Sequence, residues 1–242
     1  MNRHGIVIVS LFPTLLGTYG DGGNVLALRH RAKARDLDAE VVIVEPGDAV
    51  PRSGDIYVMG GGEDTAQVAA ARGLAEDGGL ASAIDSGAAL LAICAGYQLT
   101  GHSFPDATGA PSPGLGLLDV TTTRLPQRAV GELAADPSSE ALAGLGELPR
   151  MTGYENHAGA TTLGPGAQPL GRVLSGVGNG DGTEGAWAGH VIGTYLHGPA
   201  LARNPWIADR LLSWAVGTDL PPFDEPEVEA LRAERFRAVL GH

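Results

Sequence analysis

Ala88-Ala89-Leu90-Leu91-Ala92-Ile93-Cys94-Ala95-Gly96-Tyr97-Gln98 decides how the chain folds. Its first six residues form a continuous apolar run, as expected of a central parallel strand buried on both faces. Around the cysteine the pattern is small, any, Cys, any, small: Ala92, Cys94, Gly96. A strand that bends sharply into a helix needs this spacing, because larger neighbours would collide at the turn. The bend lifts the sulfur above the sheet edge and sets it at a helix N-terminus, where the dipole favours a thiolate. The Ala95 N–H is then placed to face a developing oxyanion. On this segment alone, a nucleophile and a packed core cysteine are equally good readings.

Upstream, residues 6–10, 40–44 and 55–59 read as further strands, with helices over 22–36, 66–75 and 79–86. This βαβ alternation predicts an α/β fold: a doubly wound, mostly parallel sheet with flanking helices and a nucleophile elbow. The strand over 55–59 ends in Gly60-Gly61-Gly62, where a bare backbone can approach a substrate and supply N–H groups to an oxyanion. A tight βα turn is the plainer reading of those glycines, and a phosphate cradle competes with it. Downstream, residues 104–116 read as a loop, 117–123 as a strand, 134–146 as a surface helix and 161–184 as hairpin turns. The segment 187–196 ends in a strand, helices follow over 200–216 and 227–240, and Pro221-Pro222 marks a linker. A single domain over 1–242 is expected, with its core over about 6–216.

Composition narrows the function. With 242 residues, 43% hydrophobic and 18% charged, the chain can bury a sizeable core. A net charge of −12 argues against nucleic-acid binding, which needs a basic face to replace counterions. Neither a membrane-length apolar run nor a signal-peptide pattern is visible. One cysteine allows no disulfide framework within the chain and fits a reducing, cytoplasmic setting. The single lysine, Lys33, follows no glycine-rich loop, so no Walker A motif is present. No cofactor or metal is expected on the chain itself.

A cysteine nucleophile needs a general base. Of the seven histidines, His197 is the best placed, because it follows the strand-like Val191–Tyr195 run. Residues just beyond the carboxyl ends of parallel strands build α/β sites. His157, in Gly153-Tyr154-Glu155-Asn156-His157, is second. His4 and His242 lie near the ends, His30 on an arginine-rich helix, His102 past the helix after Cys94, and His190 before a strand.

Gly60–Gly62, Cys94–Gln98, Gly153–His157 and Tyr195-Leu196-His197-Gly198, in this order, resemble the class I glutamine amidotransferases of the cobyric acid synthase type. The resemblance covers roughly residues 6–214. Tyr19-Gly20-Asp21-Gly22-Gly23-Asn24, Glu155-Asn156-His157 and Arg128 point to the branch of stand-alone glutaminase subunits serving lipid II amidation. It implies that Cys94 attacks L-glutamine with His197 as base. Backbone N–H groups of Gly61 or Gly62 and of Ala95 would hold the oxyanion, Gln98 would help hold glutamine, and Arg128 would pair with its α-carboxylate. It also implies a heterodimer with a Mur-ligase-like synthetase that carries ATP and Mg. The loops over 19–24 and 104–116 and the last helix are candidate interface segments. Many class I members place an acid two residues after the histidine, where this chain has Pro199. A carboxylate from elsewhere, in this chain or a partner's, is therefore expected to orient His197. Weighed against this are a corrinoid acceptor for the same chemistry, a cysteine peptidase on the same elbow, and an inactive regulatory module.

Overall fold

The computed structural model describes residues 5–18, 20–138, 148–221, 223 and 225–241. Its first elements are β1 (Ile6–Leu11), α1 (Gly22–Lys33), β2 (Ala39–Val44), β3 (Ile56–Met59), α2 (Asp64–Asp77), α3 (Gly79–Asp85), β4 (Ala89–Ile93) and α4 (Ala95–Thr100). There follow β5 (Ser103–Pro105), β6 (Pro111–Pro113), β7 (Val120–Pro137), β8 (Met151–Leu163), β9 (Gly171–Ser175), β10 (Thr183–Glu184), β11 (Ala186–Ala188) and β12 (Val191–Thr194). The last described helices are α5 (Ala200–Arg203), α6 (Pro205–Val216) and α7 (Pro226–Leu240).

The main sheet has the order β11-β12-β4-β3-β1-β2. Every pairing in it is parallel except that of the edge strand β11 with β12. β3, β4 and β12 are buried along their whole length, which is why their sequences are continuous apolar runs rather than alternating ones. α1 packs on α6, and α2 on α3 and α4. The crossover from β1 to β2 and that from β3 to β4 run in opposite directions, so right-handedness puts α1 and α2 on opposite faces. The chain therefore diverges at the carboxyl ends of β1 and β3, and such a switch point opens a crevice for a site.

A second sheet, β10-β9-β7-β5-β6 with β8 on β7, is bridged through Tyr154 of β8 to His197, just past the carboxyl end of β12 in the first. It departs from the sequence reading in three places. The strand expected over 117–123 runs to Pro137, with a register shift between Arg124 and Ala129. The helix expected over 134–146 is absent from 134–137, and 139–147 lie outside the described residues. Ala134 and Ala135 are fully buried and pair with both β8 and β9, so ladder bonds and burial outweigh the helical preference of alanine. The loops expected over 104–116 and 161–184 contain the short strands β5, β6, β9 and β10. None of the described helices is long and apolar enough to cross a membrane.

Candidate active site

β4 delivers Cys94 to the carboxyl edge of the sheet at φ 51° and ψ −104°, a region that side-chain-bearing residues seldom occupy. Such a conformation costs about 1–3 kcal/mol and persists only where the surroundings hold it. The Cys94 N–H donates to Thr194 O on β12 at 2.8 Å, and the Gln98 N–H donates to Cys94 O at 2.9 Å. The small-residue pattern has a direct cause at Gly96, where a Cβ would meet Met59 Cβ and Gly60 O at 3.0 Å. Cys94 is 5% exposed. Burial pushes its thiol up to about 12; the Asp21 carboxylate adds to the rise, while the Ala95 N–H and Arg128 oppose it. This overturns the thiolate expected from a helix N-terminus. α4 is only six residues long, and desolvation of the charged sulfur outweighs its dipole. Were this sulfur to act as a nucleophile, a base would have to take its proton first.

His197 lies just beyond β12, 3% exposed. Its backbone is stitched to the second sheet: His197 N–H donates to Tyr154 O at 2.8 Å, and Tyr154 N–H donates to His197 O at 3.1 Å. The imidazole and the Cys94 side chain meet at Gly61. A Cβ on that glycine would lie 2.9 Å from His197 Cε1 and 3.3 Å from both Cys94 Cβ and Asp21 Oδ2. Only a residue without a side chain lets these three groups converge. His197 Nδ1 is 3.0 Å from Asp21 Oδ1, and the Gly61 N–H donates to Asp21 Oδ2 at 2.7 Å. Asp21, 2% exposed, is thus a carboxylate of this same chain, brought in at the start of α1. Its hold on the Gly61 N–H corrects one expectation: of the two glycines considered for the oxyanion, Gly61 is engaged. Gly62 and Ala95 both line the cavity described next.

That cavity, of about 110 Å³, opens beside Cys94 between α2, α4 and the second sheet. His197 is not part of its lining and lies, like Cys94, against Gly61. Arg124 and Arg128 flank the irregularity in β7 and both reach the cavity. Arg128 Nε donates to Asn156 Oδ1 at 2.7 Å, which fixes the plane of its guanidinium. Gln98 forms part of the wall, but its Oε1 accepts from Gln67 Nε2 at 3.1 Å, and a hydrogen bond ties its side chain to Tyr195. His157, the second candidate base, also faces the cavity. Its Nδ1 is 3.0 Å from Gly159 O, its Nε2 is 3.4 Å from Glu155 Oε2, and its ring stacks on Tyr195 at 3.7 Å. Those contacts make it a wall. His30, His102 and His190 are held elsewhere by Glu225, Asp119 and Gly87, while His4 and His242 lie outside the described residues. Among the described residues, no group of three His, Cys, Asp or Glu side chains could hold a metal ion.

The sequence model of the CobB/CobQ-like glutamine amidotransferase domain matches residues 7–205. The chain is 34% identical over 230 residues to the lipid II isoglutaminyl synthase (glutamine-hydrolyzing) subunit GatD of Staphylococcus aureus, covering 93% of this chain and 90% of that protein. The GatD subunit of Streptococcus pneumoniae is 34% identical over 214 residues, covering 86% and 80%. A cobyric acid synthase from Sphingopyxis alaskensis is 35% identical over 182 residues, but these span only 34% of that longer protein. Among solved structures, a glutamine amidotransferase superposes with a TM-score of 0.56 at 21% identity over 88% of this chain and all of that one. One from Thermotoga maritima gives 0.55 at 15% identity, over 99% and 90%. At those identities the structures attest the fold alone.

Proposed function

The chain belongs to the CobB/CobQ-like glutamine amidotransferase family, and on that premise we propose that it is a GatD-type glutaminase subunit. It hydrolyses L-glutamine to glutamate and ammonia for a MurT-like partner of the Mur-ligase kind. The partner, using ATP and Mg, activates the α-carboxylate of D-glutamate in the lipid II stem peptide, and ammonia converts that residue to D-isoglutamine. The observation that carries the glutaminase reading is the convergence of Cys94 and His197 on Gly61, beside a cavity rimmed by Arg128. The acceptor rests on the similarity to two GatD subunits along most of the chain.

The proposed steps follow from the protonation state of the sulfur. With Nδ1 turned to Asp21, His197 uses Nε2 to take the Cys94 proton as sulfur attacks the δ-carboxamide carbon. N–H groups of Gly62 and Ala95 stabilise the oxyanion. The imidazolium returns the proton to the leaving nitrogen, the C–N bond breaks, and ammonia departs from a thioester. His197 then deprotonates a water that attacks the thioester, releasing glutamate and restoring the thiol. Arg128 offers a planar two-pronged donor to the substrate α-carboxylate.

Co-expression with a MurT-like protein, followed by an amidation assay on lipid II, tests the whole reading. We expect a stable heterodimer and product that depends on both glutamine and ATP. Glutamine hydrolysis without lipid II amidation would retain the enzyme class and overturn the acceptor.

A further inference from the structure

We infer that Asp21 is the positioning residue of His197, taking over the work of the acid that Pro199 displaces. The inference rests on the Cys94–His197 reading above. Asp21 is the N-cap residue of α1, a place where an aspartate commonly accepts a hydrogen bond from its own helix. Here it makes no such bond. Its carboxylate turns instead to His197 Nδ1, at 3.0 Å, and to the Gly61 N–H, at 2.7 Å, both in a site closed to solvent.

The first turn of α1 is fixed against the very segment that lacks the acid. A Cβ on Gly23 would come within 2.2 Å of Pro199 Cγ, so α1 and Pro199 are in direct contact there. One residue on, the Asn24 side-chain oxygen accepts the Leu201 N–H at 2.9 Å. The helix thus occupies the space beside residue 199 and supplies its own carboxylate from the adjoining N-cap. The consequence for the chemistry is charge stabilisation. A buried thiol gives up its proton to imidazole only if the resulting imidazolium is supported, and Asp21 lies on the side of the ring away from the reaction. The same carboxylate fixes the neighbouring glycine loop through Gly61.

Asp21→Asn is the discriminating change. Both groups facing Asp21 are donors, and an amide has one oxygen to offer them, so one contact must fail. We expect kcat for glutamine hydrolysis to fall by about 10²–10⁴-fold, with KM for glutamine changing much less and thermal melting close to wild type. Alkylation of Cys94 by iodoacetamide separates positioning from a purely structural role. In the wild-type background D21N slows alkylation, because the base is weakened. In a His197→Ala background it does not slow it, because the route through the imidazole is gone, and removing a nearby negative charge by itself favours the thiolate. Near-wild-type kcat in D21N, or equal slowing of alkylation in both backgrounds, would overturn the inference. If D21N does not fold, Asp21→Ser serves in the same two assays. Undiminished hydrolysis by H197A would instead sink the glutaminase mechanism itself, a distinct outcome.

Discussion

Cys94 combines a strained backbone with a thiol pushed up to about 12. In the proposed mechanism its reactivity therefore belongs to its neighbours rather than to its own acidity. Arg128 offers a separate test at the same scale. Replacing it with lysine keeps the charge and loses the fork, so KM for glutamine should rise about 10-fold or more with kcat nearly unchanged. Steady-state kinetics on R128K decides this, and an effect confined to kcat would remove Arg128 from substrate binding. Cys94 and His197 could be named as candidates from the sequence because each follows a strand with a recognisable pattern. Asp21 was visible only as part of a glycine-rich segment, since its partner lies 176 residues away and only the topology joins them. Gly61 was read as an oxyanion donor for the same reason: nothing local reveals that Asp21 holds its N–H.

Among the elements, the turn after β3 is sensitive to a small change. Gly61→Ala would place a methyl group 2.9 Å from His197 Cε1, too close for the ring to remain where it is. The neighbouring backbone cannot give way freely, because the Gly96 N–H donates to Gly60 O at 3.2 Å. We expect G61A to fold but to lose about 10²-fold or more in kcat, the scale on which small misplacements in a site act; circular dichroism and glutamine turnover measure the two halves of that statement. The central strands β3, β4 and β12 could be read because burial on both faces leaves continuous apolar runs. The second sheet could not. Its long strands β7 and β8 mix small, polar and charged residues, and an alanine-rich stretch near Pro137 imitates a helix until its pairing with β8 and β9 is known. Arg128 and the His157 wall sit on those same strands, so part of the site was named without its support being foreseen.

Across the whole molecule, β10 of the second sheet and β12 of the first meet through a buried carboxyl. Glu184 lies there fully enclosed, accepting from the Thr194 hydroxyl and from the Tyr195 N–H at 3.0 Å. Burial pushes its carboxyl from 4.5 to about 7, only partly opposed by those donors and reinforced by nearby Glu155. A carboxyl whose folded value is raised contributes stability fully below its unfolded value and loses it as pH rises through about 7. The shift corresponds to about 3 kcal/mol between those limits. The melting temperature should therefore fall from pH 5 to pH 8, and Glu184→Gln should flatten that slope; an unchanged slope would locate the pH sensitivity elsewhere. The most direct test of the central claim is mass spectrometry of the protein quenched in acid during glutamine turnover, with peptide mapping of the adduct. A glutamyl thioester on the Cys94 peptide, absent from Cys94→Ala along with ammonia release, is the predicted result. Ammonia release by C94A at the wild-type rate would contradict the account.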